Sequence, residues 1–295
     1  MSRRACILGS PEGWHVRRLA AALGRRGLET AIVRWQELAA GVTAGDAAFE
    51  PPALATADLV AVRGMPGTAP PEARLEEVIF RMDVLGRLAA GGTPVVNPPR
   101  ALEIAIDKYL CLAHLAAAGI AVPRTLVVQA PEAVRLGRQR LGGVCVAKPL
   151  FGSRGRGIVR LDSDAAIEAI RPAAGGVFYL QEFVPHLGWD ARVFVVGDRL
   201  FAMRRWAPAG EWRTNLALGG RPERFDLPTG WGDLARRAAA AVNASLAGVD
   251  LLPASDGRVL VLEVNAVPGW RGLETVAGPE VGEAVADHLA GLARG

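Results

Sequence analysis

The stretch VCVAKPLFGSRGRG, residues 144–157, decides how this chain is read. The apolar run Val144-Cys145-Val146-Ala147 has strand character and ends on Lys148. Glycines follow at 152, 155 and 157, and Ile158-Val159-Arg160-Leu161 then resumes a strand. Glycine takes positive φ without steric cost and lets backbone N–H groups come close to a polyanion, and Ser153 adds a hydroxyl donor. The pattern reads as a glycine lid over phosphates. A glycine hairpin without a ligand is the alternative, and the lysine at the strand end weighs against it. The stretch is neither a Walker loop, since it lacks Gly-Lys-Ser/Thr, nor a dinucleotide fingerprint, since a strand rather than a helix follows.

Lys148 stands out for a second reason. Of the 34 Lys plus Arg residues only Lys108 and Lys148 are lysine. Guanidinium is a planar fork suited to carboxylates, whereas ammonium is a compact, rotatable charge that fits between phosphate oxygens. Two lysines in an arginine-dominated chain are either phosphate ligands or chance survivors of its composition, and the glycine-rich context of Lys148 favours the first.

The chain has 295 residues, 51% of them hydrophobic, enough for one large or two to three small domains with their own cores. Its apolar runs are shorter than a membrane span needs, and Met1-Ser2-Arg3-Arg4 leads into a short strand-like run rather than a signal-peptide core, so a cytoplasmic protein with no membrane partner is expected. Cys6, Cys111 and Cys145 lie far apart in apolar surroundings and read as reduced core residues. The four histidines lack metal-ligand spacing, and no Gly-x-Ser-x-Gly elbow or Ser-His-Asp set is present, which disfavours hydrolases. The net charge of +4 is spread among 30 acids rather than gathered in a basic stripe, so no nucleic-acid partner is expected; an anionic substrate suits the modest bias.

Three blocks are visible along the chain. Residues 1–100 alternate strand and helix: strands at Ala5 to Leu8, Thr30 to Val33, Leu59 to Val62 and Pro94 to Val96, with a helix from Trp14 to Arg26. A parallel α/β sheet is implied. The loops Gly9-Ser10-Pro11-Glu12-Gly13 and Gly64-Met65-Pro66-Gly67-Thr68 lie where doubly wound sheets bind ligands, though a plain βα turn explains the first better than a nucleotide fingerprint does. Arg63 beside the second meets either a substrate carboxylate or a surface acid. Asn97-Pro98-Pro99 marks a break, after which a helix carrying Asp107-Lys108 runs to Ala118-Gly119. Residues 101–185 read as α+β around the Lys148 hairpin. Residues 186–295 form a third block, with strands at Ala191 to Val196 and Leu200 to Trp206 joined by Gly197-Asp198, and an Ala-rich helix from Asp233 to Leu246.

The last strands carry groups that an apolar core does not tolerate unpaired. Gly248-Val249-Asp250-Leu251-Leu252 and Val259-Leu260-Val261-Leu262-Glu263-Val264-Asn265 are apolar runs bearing carboxylates and an amide. Glu263 and Asn265 alternate onto one strand face, and Asp250 on a neighbouring strand completes an all-oxygen set suited to Mg²⁺. The alternative is a buried acid paired with arginine. Gln181-Glu182-Phe183-Val184 ends a strand as an adenine-reading hinge does, and Asp190 is placed either to accept from a ribose hydroxyl or to cap a turn.

Taken in order, Asp107-Lys108, Lys148 with its glycines, Gln181-Glu182-Phe183, Asp190-Ala191-Arg192, Arg213-Thr214-Asn215-Leu216, Gly219-Gly220, Gly248-Val249-Asp250 and Glu263-Val264-Asn265 resemble the ATP-grasp superfamily. Within it the chain is similar to the ribosomal protein S6 modification (RimK-type) L-glutamate ligases over nearly its whole length. The resemblance implies an ATP-grasp fold: a Rossmann-like pre-ATP-grasp domain and two α+β subdomains clasping ATP. It also implies roles. Lys108 and Lys148, with Gly152, Ser153, Gly155 and Gly157 of the lid, contact ATP phosphates, while Glu182, Phe183 and Asp190 hold adenine and ribose. Arg213 to Asn215 approach the phosphates and an acyl phosphate, with Arg205 as a second anion-stabilising arginine. Asp250, Glu263 and Asn265 hold Mg²⁺ or Mn²⁺, and Arg63 and Arg192 are substrate candidates, Arg63 matching a Pro-Arg-x-Gly element of the family with Val62 in place of proline.

The implied activity is ATP-dependent amide formation, adding L-glutamate to an acceptor carboxylate by way of an acyl phosphate, and the resemblance also implies a homo-oligomer. A pterin, deazaflavin or carrier-protein acceptor with another amino acid, or a non-catalytic ATP sensor, are the alternatives. The family carries a basic pair before its double glycine where this chain has Ala217-Leu218.

Overall fold

The computed structural model describes residues 3–43, 46–64, 75–152, 155–170 and 176–293. Its first block is built on β1 (Arg4–Leu8), followed by α1 (Trp14–Gly24), β2 (Glu29–Val33), a hairpin of β3 (Ala39–Thr43) and β4 (Asp46–Glu50), α2 (Pro52–Ala55), β5 (Leu59–Val62), α3 (Leu75–Ala90) and β6 (Val95–Val96). The strands Ala5-Cys6-Ile7-Leu8 and Leu59-Val60-Ala61-Val62 are apolar without alternation and fully buried, as parallel strands covered on both faces must be. The sheet runs β2-β1-β5-β6, all parallel. The winding therefore reverses between β1 and β5.

Two helices follow, α4 (Pro99–Ile106) and α5 (Lys108–Ala117), where the sequence pattern suggested one. Asp107 separates them: its backbone is extended, and its carboxylate accepts from the N–H groups of Tyr109 (2.8 Å) and Leu110 (3.0 Å). Aspartate satisfies the free amides of a helix start better than it fills a helix interior, so the chain breaks there and begins again. Lys108 becomes the first residue of α5.

The central block contains β7 (Thr125–Val128), α6 (Glu132–Arg140), β8 (Cys145–Lys148), β9 (Val159–Leu161), α7 (Asp164–Ala169) and β10 (Phe178–Glu182), in an antiparallel sheet ordered β7-β10-β8-β9. Val134, Leu141, Cys145, Leu161, Phe178 and Leu180 give it a small core of its own. The third block adds β11 (Trp189–Val196), β12 (Arg199–Trp206), β13 (Arg221–Arg224), α8 (Trp231–Ala241), β14 (Leu246–Pro253), β15 (Val259–Asn265), α9 (Arg271–Ala277) and α10 (Glu280–Leu292). Its sheet is antiparallel, β13-β12-β11-β14-β15. The Ala-rich helix stops at Ala241 rather than Leu246: Asn243 turns the backbone to φ 57°, a helix-ending conformation, and Leu246 already belongs to β14.

The first and third blocks share one buried cluster, from Cys6, Leu8 and Val62 through Leu112 and Leu115 to Val193 and Val249. Asn97, wholly buried just after β6, stitches them together: its Nδ2 donates to the carbonyls of Leu246 (2.7 Å) and Ala266 (2.6 Å), and its Oδ1 accepts from Ser245 N (2.9 Å) and Leu246 N (3.1 Å). The central block, with its separate core, is the part least tied to the rest.

Candidate active site

A cleft open to solvent on one side lies between the central sheet and the third sheet. Lys148, Glu182, Phe183, Asp190, Arg205, Arg213, Asn215, Asp250 and Glu263 all line it, so residues more than a hundred positions apart face one space.

Lys148, the last residue of β8, points into this cleft from the central sheet. Its Nζ donates to Gln181 Oε1 at 2.6 Å, and among the described residues that neutral amide is its one hydrogen-bond partner. Gln181 cannot turn away, because its Nε2 donates to Thr125 Oγ1 and Tyr179 OH, both at 3.1 Å. Burial pushes the Lys148 ammonium down to about 8; Glu263 and Asp250 oppose this and Lys108 reinforces it. A buried ammonium held by a neutral amide is a cation prepared for an anion that the protein does not itself supply.

Lys108 lies beside the cleft rather than in its wall. Its Nζ donates to the carbonyls of Leu150 (3.3 Å) and Gly152 (3.0 Å), tying the start of α5 to the base of the glycine lid. Burial lowers its pKa against the opposing pull of Glu263 and Asp107. Within the lid, Gly155 (φ 72°) and Gly157 (φ 68°) take left-handed backbone, and a Cβ at Gly155 would fall 2.5 Å from Asn215 Oδ1 and 2.9 Å from Leu218 Cδ1. Lid and Asn215 are thus in direct contact, with room there for glycine alone. Ser153 lies outside the described residues.

The opposite wall is an ion-pair chain. Arg205, 4% exposed, reaches Asp190 with Nε (2.8 Å) and Nη2 (2.5 Å), and Asp250 with Nη2 (2.9 Å). Arg192 holds the other side of Asp250 through Nε and through Nη2 (2.9 Å), and its Nη2 lies 4.0 Å from Glu263 Oε1. Burial raises the Asp250 pKa, but Arg192 and Arg205 outweigh it and hold the carboxyl below the ordinary range. Burial likewise works against the Arg205 charge, and Asp190 and Asp250 overcome it, so this guanidinium titrates above its usual range. Both readings of Asp250 from sequence therefore meet here: it faces the cleft and it is paired with arginine. Asp190 is turned to Arg205 in the same way.

Glu263 pairs across the ladder with Asp250, and Asn265 with Gly248, so β14 and β15 present Asp250, Glu263 and Asn265 together. Glu263 is the most accessible of the cleft's acids, its side chain 41% exposed, and among the described residues its one ion-pair partner is Arg192. Asn265 Oδ1 accepts from Val267 N at 2.9 Å. The donors are all hard oxygens, which fits Mg²⁺. Among the described residues no trio of His, Cys, Asp and Glu side chains converges on a point, so such a cation would need further oxygens from its ligand.

The sequence reading did not single out Glu211 or Trp212, which hold Arg213 and Phe183 in place. Glu211 accepts from the N–H groups of Trp212 (2.9 Å) and Arg213 (3.0 Å) and from Arg213 Nη2 (2.6 Å); the Arg213 hydrogen bond comes first in lowering its carboxyl to about 2. Arg213 Nη1 in turn leans toward the lid carbonyls of Gly155 and Ile158, each 3.4 Å away. Trp212 packs edge-on to Phe183, ring centroids 5.5 Å apart. Glu182 accepts from Arg124 N (3.1 Å) and Nε (2.6 Å), fixing the end of β10. An acid two residues before Arg213 was the available cue; Gln181 was read with the hinge rather than as the partner of Lys148. Arg63 lies away from this cleft, at the end of β5.

Two antiparallel sheets that close on a lysine, a glycine lid and a carboxylate pair, behind a parallel sheet, define an ATP-grasp carboxylate–amine ligase. A model of the RimK-like ATP-grasp domain matches residues 105–289, and the chain belongs to that family. It is 30% identical to a tetrahydromethanopterin:alpha-L-glutamate ligase of Methanosarcina acetivorans, over 98% of this chain and 99% of that one. It is 36% identical to a probable alpha-L-glutamate ligase of Trichodesmium erythraeum, over 67% of this chain and 68% of that one. Among solved structures, the ATP-grasp ligase PsnB complexed with a phosphomimetic variant of its minimal precursor, Mg and ADP superposes with a TM-score of 0.77 at 27% identity, covering 98% of both chains. No helix among the described residues is long and apolar enough to cross a membrane.

Proposed function

We propose that this ligase condenses L-glutamate with an acceptor carboxylate, using ATP and Mg²⁺ and passing through an acyl phosphate. The observation that carries this reading is Lys148: a buried ammonium held by a neutral amide, facing Asp250 and Glu263 across a cleft under a glycine lid. The names of the relatives support glutamate as the added amino acid.

Phosphoryl transfer asks a protein chiefly to position and neutralise. Lys148 and Lys108 shield the triphosphate, and the lid glycines offer N–H groups to it. Glu263 and Asn265, with Asp250 behind them, would hold the metal, which would supply positive charge to the phosphate oxygens. Phe183, Trp212 and the end of β10 frame the base. Arg213 and Asn215 stand where the lid meets the third sheet, so they meet the transferred phosphoryl group. Arg205 fixes Asp190 and Asp250 and contributes positive potential from behind them. This sequence needs no protein nucleophile. The three blocks serve as substrate, lid and metal domains, with boundaries near residues 100 and 185.

The acceptor is the open variable. Ala217-Leu218 stand in a single-turn helix, Leu216–Leu218, whose Leu218 packs against Gly155 of the lid, so an apolar pair occupies the place of the family's basic one. A relative named for a pterin substrate covers almost the whole chain, which favours a small-molecule acceptor alongside a protein tail. The test is ADP release with ATP, Mg²⁺ and L-glutamate against a panel of pterin, deazaflavin, carrier-protein and peptide carboxylates, with mass spectrometry of products. A glutamyl mass gain on one acceptor is expected. Turnover with another amino acid, but none with glutamate, would replace glutamate in this reading, and Mg-ATP binding with no turnover across the panel would favour a sensor.

A further inference from the structure

A second space opens beside the ATP cleft. It is a recess of about 440 Å³, open to solvent, lined by Arg124, Arg160 and Arg258 together with apolar residues, Leu141, Phe183 and Pro185 among them. A volume of that order suits a small molecule. Recess and cleft share Glu182, Phe183 and Val184, so the end of β10 is a wall of both. Phe183 is the partition: Arg160, which lines the recess, lies over its ring (4.3 Å to the centroid), and Trp212, which lines the cleft, meets it edge-on (5.5 Å between centroids).

The three arginines come from two blocks. Arg124 precedes β7 and Arg160 lies within β9, both in the central block, whereas Arg258 immediately precedes β15 in the third. Their side chains are 61%, 42% and 53% exposed, so a solute reaches all of them. The one acid in the lining, Glu182, is already taken: it accepts from Arg124 N (3.1 Å) and Nε (2.6 Å), and its side chain is 10% exposed. Arg160 meets Asp162 at 3.5 Å and Arg258 meets Asp256 at 2.8 Å, exposed pairs between near neighbours in sequence that contribute little free energy and can give way to a ligand. Among the described residues, Nη1 and Nη2 of Arg160 and Nη1 of Arg258 make no hydrogen bond within the protein.

We propose that this recess is a regulatory site for a small oligoanion, one carrying at least two carboxylate or phosphate groups, which holds the central and third blocks together. Guanidinium takes either group bidentately, and an apolar body between the charges suits the apolar lining. The central block has a core of its own and is the part least tied to the rest. An anion that bridges Arg258 to Arg124 and Arg160 therefore favours the closed clasp and tightens nucleotide binding in the cleft, and by linkage nucleotide tightens the anion equally. The coupling, though not the recess itself, rests on the ligase reading above.

The test is isothermal titration calorimetry of the full chain with tricarballylate, ethylene glycol bisphosphate and acetate, each with and without saturating Mg-ADP, which fills the cleft. Saturable binding of tricarballylate is expected if carboxylates are the source, and of the bisphosphate if phosphates are, with acetate inert. Arg160→Gln and Arg258→Gln should each weaken that binding about tenfold with the melting temperature little changed. In the unsubstituted protein the saturating anion should lower the Kd of Mg-ADP about fivefold, and in Arg258→Gln it should not. No saturable binding, equal binding of acetate, or binding indifferent to both substitutions overturns the site; an Mg-ADP Kd that the anion leaves unchanged or raises overturns its regulatory role. Failure of Mg-ADP to bind the anion-free protein would instead overturn the ATP reading of the cleft, while the anion titrations still judge the recess.

Discussion

Lys148 carries its charge against its surroundings. A pKa pushed from 10.5 down to about 8 corresponds to roughly 3 kcal/mol of strain at neutral pH. The folded value lies below the unfolded one, so the unfolded chain binds more protons between pH 8 and 10.5. Stability on this account rises with pH across that window and carries the full penalty below pH 8. Lys148→Met should therefore raise the melting temperature of the ligand-free protein at pH 7 while abolishing ATP turnover; a lower melting temperature would contradict the electrostatic account. Because the phosphates favour the charged form, ATP binding near pH 8 should take up a proton, seen as a calorimetric enthalpy that changes with buffer ionisation and is constant in Lys148→Arg. Arg205 is the opposite case, a charge fully met by its partners. Arg205→Ala leaves Asp190 unpaired in a buried wall beside Asp250, which keeps Arg192 alone, and should cost about 3–5 kcal/mol of stability, measured by denaturant unfolding. Loss of activity in that variant would be loss of structure as much as of chemistry.

At the level of elements, the lid and the stitching loop do different work. Gly155→Ala would introduce both a strained φ and a clash with Asn215, so the lid should stand off the third sheet. We expect kcat/KM for ATP to fall about a hundredfold, on the order of 2.7 kcal/mol in transition-state terms, with the fold intact by circular dichroism. Asn97→Ala should do the reverse. It orphans two buried amides and two carbonyls that join the first and third blocks, and with a penalty of about 1–3 kcal/mol for each such group it should lower the melting temperature substantially. Elements were unevenly legible. Strands with unbroken apolar runs, such as β1, β5 and β15, declare themselves, as do the glycines after β8. The split at Asp107 did not, because a cap residue inside an apolar period is invisible to periodicity. Nor did the end of α8, where the alanine run masks the turn at Asn243. The hairpin β3–β4 and helix α3 had no pattern strong enough to name them.

For the whole molecule, two blocks share a core and the third carries the lid on a core of its own, which is the arrangement a clasp needs. Helices α1 and α10 add a surface clamp in which Arg26 meets Glu283 (2.9 Å) and Asp287 (2.7 Å). Being half exposed, those pairs should matter little, and high salt should leave the melting temperature nearly unchanged. Ligand should matter more. Mg-ATP at about a hundred times its Kd should add about 2.7 kcal/mol to stability, read as a rise in melting temperature of several degrees that Lys148→Met does not show.

The amino-acid sequence by itself determined the class of fold, the order of its blocks and the residues whose chemistry is out of place in their strands: a lysine closing an apolar run, and carboxylates and an amide within two others. Such misfits are local facts, because burial follows from the surrounding pattern. Only the tertiary structure decided partnership. That Asp190 and Asp250 share Arg205, that Gln181 rather than an acid holds Lys148, and that Arg63 lies over Trp270 and donates to Pro268 depend on which strands the topology brings together. Charge pairing over long sequence separations leaves no periodic trace, and so it becomes visible only once the chain is folded.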